Sequence, residues 1–105
     1  MLFRAIPKVA ELLEKQIYET PFGGKTRGKF LISRDGLKDL LGVARLTTSI
    51  LDELVDECLN RNIAFIDLDD CFAVVDEGFV RNFRKVPNSL VREFADALHG
   101  RRERD

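Results

Sequence analysis

Few side chains in this 105-residue chain stand where covalent or metal chemistry would need them. Its one histidine, His99, falls near the end of the last helical stretch, where the helix dipole favours a cation. Ser33, Ser49 and Ser89 each precede an apolar-periodic run and read as helix caps, not nucleophiles. Cys58 and Cys71 fall on an apolar helix face and an apolar strand, with no histidine near them. That is the usage of small core residues kept as thiols in a reducing compartment. Two cysteines and one histidine fall short of the four ligands of a structural zinc site, and there is no C-x-x-C pair. Asp67, Asp69 and Asp70 resemble the start of a calcium loop. Cys71 and Phe72 then stand where a further oxygen donor and a glycine are required. Gly24-Lys25-Thr26 looks like the end of a phosphate-gripping loop, but no glycine and four residues precede it and no strand feeds it. These observations point away from catalysis, and we expect no cofactor and no bound metal.

What remains is binding, and charge is the first guide to it. The net charge is −1, so bulk electrostatics recruits no partner. The distribution is uneven. From Lys25 to Arg45 six basic residues (Lys25, Arg27, Lys29, Arg34, Lys38, Arg45) face two acids. From Asp52 to Glu77 nine acids face Arg61 alone, and from Arg81 to Arg92 there are four basic residues and no acid. A neutral total thus hides basic, acidic and basic blocks.

The elements that position these residues follow from periodicity. Residues 7–19 carry Val9, Leu12, Leu13 and Ile17 at helical spacing, with Pro7 in the first turn and a favourable Glu11–Lys15 pair. Residues 20–28, with Pro21 and three glycines, read as a basic loop. Lys29–Ile32 is a short strand. Ser33 caps a helix over 34–41 with Leu37, Leu40 and Leu41 inward, and Gly42 ends it. After the turn 43–46, one of Thr47, Thr48 and Ser49 caps a longer helix to about Arg61, and Asn62 terminates it. Its inward positions are Leu51, Leu54, Val55, Cys58 and Leu59, and its outward ones Asp52, Glu53, Asp56 and Glu57.

Residues 63–76 read as a hairpin turning at Asp69-Asp70. That turn sets Leu68 opposite Cys71, Ile66 opposite Ala73 and Ala64 opposite Val75 on one face. Asp67–Phe72, Phe65–Val74 and Ile63–Asp76 pair on the other. Both faces are apolar, whereas a hairpin covered on one side alternates apolar with polar. We therefore expect a cover for the second face, either the C-terminal helix or another subunit. Gly78 reads as a break, 79–86 as a helical turn with Phe79, Val80 and Phe83 inward, and 89–99 as a last helix ended by Gly100. The stripe of that helix is Leu90, Val91, Phe94, Ala97 and Leu98. The tail 101–105 is charged.

Helix, short strand, two helices and hairpin over residues 7–76 resemble the winged helix-turn-helix superfamily, with 77–105 as a C-terminal extension. The match is one of element order and spacing. It implies a single α+β domain over 1–105: three helices, a short strand and a wing, plus an added helix. It also implies a function, DNA binding by a small transcriptional regulator, sequence-specific or semi-specific. In DNA-binding members of that superfamily the second helix of the pair enters the major groove by its N-terminal residues. Carried over, Arg45, Thr47, Thr48 and Ser49 would read bases. Arg34 and Lys38 would lie near phosphate, and Lys25, Arg27 and Lys29 would add loop contacts.

Two features depart from that pattern: Asp52, Glu53, Asp56 and Glu57 on the reading helix, and Asp69-Asp70 at the wing tip. Like charge repels phosphate at both places. The other reading is therefore a winged-helix interaction or assembly module that offers the face of Asp52, Glu53, Asp56 and Glu57 to a basic protein. In either case the doubly apolar hairpin and the last helix lead us to expect a homodimer. No run approaches the roughly 18 apolar residues of a membrane span, and the N-terminus lacks the features of a signal peptide. We expect a cytoplasmic protein.

Overall fold

A computed structural model describes residues 5–17, 19 and 29–100. Within them the chain is α+β, with five α-helices and one three-stranded antiparallel sheet. The first helix, α1 (Ala5–Glu11), continues into a π-helical stretch, Leu12–Ile17, a widened form of the single helix expected there. Strand β1 (Phe30–Ser33) leads directly into α2 (Arg34–Leu41), and α3 spans Thr48–Asn60. The hairpin β2 (Ile63–Asp67) and β3 (Cys71–Asp76) follows, then α4 (Glu77–Arg81) and α5 (Asn88–His99). The sheet order is β1-β3-β2, so the strand that precedes the helix pair lies beside the last strand of the hairpin.

Local chemistry explains the boundaries. Ser33 Oγ accepts the Gly36 N–H at 3.0 Å and starts α2. A Cβ at position 36 would lie 3.0 Å from that same oxygen, so glycine leaves room for the cap. Gly42 ends α2 at φ +71°, where only glycine is unstrained, and its N–H donates to the Lys38 carbonyl at 2.8 Å. Thr47 is the residue that caps α3, its Oγ1 accepting the Ile50 N–H at 3.3 Å. Asn62 follows α3 at φ +66°, a left-handed residue of the kind asparagine tolerates.

The core lies between the helices and one face of the sheet. Val9, Ala10 and Leu13 from the first helical stretch meet Leu37 and Leu41 of α2 and Ile50, Leu54 and Cys58 of α3. Phe30, Ile63, Phe65, Phe72 and Val74 close it from the sheet, with Phe65 and Phe72 stacked at 5.0 Å between ring centroids. The expected stripe of α3 is displaced by part of a turn. Ile50, Leu54 and Cys58 are buried, Leu51 and Val55 are partly buried, and Leu59 is 41 % exposed. Both stripes have helical spacing, and only packing against α1 and the sheet selects between them.

The hairpin register is the one expected from a turn at Asp69-Asp70. Ile63 pairs with Asp76, Ala64 with Val75, Phe65 with Val74, Ile66 with Ala73 and Asp67 with Phe72. The Leu68 N–H donates to the Cys71 carbonyl at 2.9 Å, and Asp69 turns the chain at φ +77°. With β1 in register, Leu31, Ala73 and Ile66 form one row of the outer face, and Ser33 and Cys71 the next.

Three expectations fail beyond the hairpin. Gly78 does not break the chain: Asp76 Oδ2 accepts its N–H at 3.1 Å and starts α4 two residues earlier than expected. Phe79 and Phe83 do not point inward; they are 46 % and 58 % exposed and meet edge to face at 5.6 Å. Cys71 is half-buried on the outer face and not in the core; it and Cys58 are both free thiols. Helix α5 starts one residue before the expected 89 and ends where expected, with Gly100 as its left-handed cap, yet none of its residues is buried. It does not cover its own sheet. No helix among the described residues is long and apolar enough to cross a membrane.

Candidate nucleic-acid interface

The residues expected to read bases sit together at the N-terminal turn of α3. Arg45 lies in the turn between α2 and α3, Thr47 is the cap, and Thr48 and Ser49 open the helix. All four are exposed. Thr47 Oγ1 and Ser49 Oγ lie 3.4 Å apart, so the two hydroxyls share one small polar surface. Arg45 has no ion-pair partner among the described residues.

The cations expected at phosphate are differently placed. Arg34 is turned toward the hairpin. Its Nη1 donates to the Asp69 carbonyl at 2.8 Å and lies 3.4 Å from Asp67 Oδ1, and its guanidinium lies 5.0 Å from the Phe72 ring centroid. Asp67 Oδ1 also accepts the Asp69 N–H at 2.8 Å, so the arginine completes a bonded hairpin tip. Lys38 pairs with Asp35 at 3.3 Å along α2. Lys29 lies 4.3 Å above the Phe79 ring. Lys25 and Arg27 lie outside the described residues, as does the tail 101–105.

The acidic residues of α3 divide in two. Asp52, Glu53 and Asp56 are exposed and make no ion pair among the described residues. Glu57 belongs to the scaffold: Arg61 Nε donates to it at 3.3 Å, while Arg61 Nη1 reaches Glu14 at 3.1 Å. These contacts, Glu14 first, hold the guanidinium charged more firmly than usual. The sequence held no sign of the Glu14–Arg61 contact, because the two residues are 47 positions apart.

No group of three or more metal-ligating side chains occurs among the described residues. A small cleft where the end of α3 meets the sheet is lined by Glu14, Arg61, Asn62, Ile63, Val75 and Asp76. Its two most polar walls are the partners of the ion pair just described, so it is built by that pair and presents no separate chemistry. The buried Cys58 thiol is pushed up to about 12, first by burial and then by the nearby Glu57 charge, so it stays a thiol and not a nucleophile. What this arrangement offers a partner is a small cationic and hydroxyl-bearing turn beside an acidic helix face. No family model, curated protein or solved structure matches the chain.

Proposed function

We propose that this chain is a winged-helix DNA-binding protein, a small transcriptional regulator, that enters the major groove by the N-terminal turn of α3. The observation that carries the reading is Arg45, exposed beside Thr47, Thr48 and Ser49 and without an ion-pair partner among the described residues. Arginine suits guanine or phosphate, and hydroxyls serve bases and phosphate alike. The element order β1-α2-α3-β2-β3 and the sheet order β1-β3-β2 support the winged-helix assignment. The acidic middle of α3 restricts the pose: the helix enters end-on, with Asp52, Glu53 and Asp56 held back from the backbone. The wing, with Asp69 and Asp70 at its tip, stays off the DNA. Lys25, Arg27, Lys29, Arg34 and Lys38 remain the proposed phosphate contacts, although Arg34 is also bonded to the hairpin tip, Lys38 to the exposed Asp35, and Lys29 lies over Phe79. As a homodimer the protein offers two such turns to half-sites about one helical turn apart.

The test is titration of a labelled random duplex at rising salt. We expect weak binding at low ionic strength that loosens as salt rises, because neutralised phosphates release counterions. Arg45→Ala should weaken it by about 1–3 kcal/mol. Absence of salt-sensitive binding at low ionic strength would overturn the reading.

A second reading rests on Asp52, Glu53 and Asp56, exposed and without an ion pair among the described residues, which would dock a basic protein surface. Reversing all three to lysine separates the two. It abolishes capture of a basic partner under the docking reading and tightens duplex binding under the first.

A further inference from the structure

We infer that the bare outer face of the sheet is covered by helix α5 of a second copy of this chain, and that the exchange is reciprocal. This deepens the homodimer of the preceding reading and is independent of whether DNA is bound.

The argument starts from what each chain leaves uncovered. The helices cover one face of the sheet. On the other, α4 shelters the end at Val75, and Leu31, Ile66 and Leu68 remain in solvent with Ala73 and Cys71 between them. Leu31 is 64 % exposed although it lies in a strand. The second uncovered surface is the stripe of α5, where Leu90, Val91, Phe94 and Leu98 are all exposed, Leu98 at 80 %. An amphipathic helix gains its stability by packing its apolar face, and no residue of this one is buried among the described residues.

The two surfaces match in kind and number. Each chain has one sheet face that lacks a helix and one helix that lacks a sheet. Two copies satisfy both and leave neither over, whereas an unrelated partner would have to supply a helix and a platform together. The amounts also agree. Of the eleven large apolar side chains that stand exposed, all but Leu59 belong to the outer face or to the arm from Phe79 to Leu98. Together they present on the order of 1,000 Å² per chain, against the ~800 Å² per partner of a standard interface and the few hundred usual for a monomer's largest patch. The polar flank of α5 carries Arg92 with Glu93 and Asp96, a mixed set that selects no strongly charged partner.

The experiment is sedimentation of the full chain with two variants at exposed positions, Phe94→Asp in α5 and Ile66→Asp on the sheet, with far-UV circular dichroism to check that each is folded. We expect the wild type to be a dimer at micromolar concentration. Each variant alone should weaken association at least about 100-fold, the loss typical of a central apolar anchor. Mixed together, the two variants should associate again, more weakly than wild type. The Ile66→Asp chain still has an intact α5, and the Phe94→Asp chain an intact sheet face, so one of the two seats is restored. A monomeric wild type would overturn both the dimer and the exchange. A dimer that ignores Ile66→Asp, or variants that do not complement, would overturn the exchange alone, because those are the results of α5 pairing with α5. A duplex-binding failure would touch only the DNA reading.

Discussion

Arg34 Nη1 donates to the main-chain carbonyl of Asp69 at 2.8 Å and so ties the first turn of α2 to the tip of the hairpin. The residues are 35 positions apart, and the contact gives a cation of the basic block a task inside the fold. Replacing Arg34 with alanine should raise amide exchange at Leu68 and Asp69 and lower stability by about 1 kcal/mol, the scale of a partly exposed charge-assisted bond. Lysine should restore little, because it cannot hold the carbonyl, the Asp67 carboxylate and the Phe72 face together. Unchanged exchange at the tip would leave Arg34 as a phosphate contact alone.

Arg61 joins Glu14 on the first helical stretch to Glu57 on α3. All three side chains are partly sheltered, with 27–31 % of each exposed. Arg61→Ala leaves two carboxylates facing each other without their cation. We expect a loss of stability in urea unfolding that is smaller at high salt, where the residual repulsion is screened. A loss equal to that of Lys38→Ala, whose pair with the highly exposed Asp35 contributes little, would show that the bridge does not hold α1 to α3.

The Cys58 thiol makes stability fall at high pH. Its ordinary value is 9.0, and in the fold it is pushed up to about 12. Between those values the unfolded chain has lost the proton that the folded chain keeps. The contribution is complete below pH 9 and is lost as pH rises toward 12, at up to about 1.4 kcal/mol per pH unit. Tyrosine and lysine also titrate in this range, so the measurement is a difference: Cys58→Ala should flatten the alkaline limb relative to wild type. Parallel limbs would disprove the assignment.

Cys71 offers a probe of the outer face. Its value is also raised, first by desolvation and then by a hydrogen bond with Asp70. With a thiol-specific reagent, native protein should label at Cys71 before Cys58, more slowly than a free thiol at the same pH, and faster as pH rises. If α5 of a second copy covers the face, dilution below the dimer's Kd should speed the labelling of Cys71 and leave Cys58 protected.

Neutralising Asp52 and Asp56 tests the end-on pose. In that pose each acid lies on the helix that enters the groove, so Asp→Asn at either site should tighten duplex binding by roughly 2–5-fold at low salt, Asp52 more than Asp56 because it is nearer the inserted turn. Equal effects, or none, would mean that α3 does not approach DNA by its N-terminus.

Much of this fold was legible along the chain because local rules decide it. Gly42 marks its helix end by backbone conformation, the run Thr47-Thr48-Ser49 marks a capped helix start without choosing among the three, and two acidic turn residues set the hairpin register for every pair behind them. Features that depend on distant packing were not. The stripes Ile50-Leu54-Cys58 and Leu51-Val55-Leu59 lie side by side at equal spacing, and the core decides. Asp76 reads as the end of a strand, and only in three dimensions does it cap α4. The candidate site was read in the same uneven way. The exposed turn from Arg45 to Ser49 follows from helix order alone. The engagement of Arg34, Lys38 and Lys29 within the fold does not, because charge counts carry no partners. An amphipathic pattern such as that of α5 announces that a face wants cover and says nothing of where the cover comes from.

The connector from Asn82 to Pro87 carries a further consequence. It is short, and Pro87 fixes the backbone where α5 begins. A helix donated to a neighbour either returns the favour across a two-fold axis and closes a finite pair, or passes on to a third chain and opens a line. The length and stiffness of those six residues decide between the two. If α5 is exchanged between copies, inserting flexible residues before Pro87 should therefore change the topology of assembly without altering a single contact surface, converting a closed pair into a mixture that includes longer chains and intramolecularly sealed monomers.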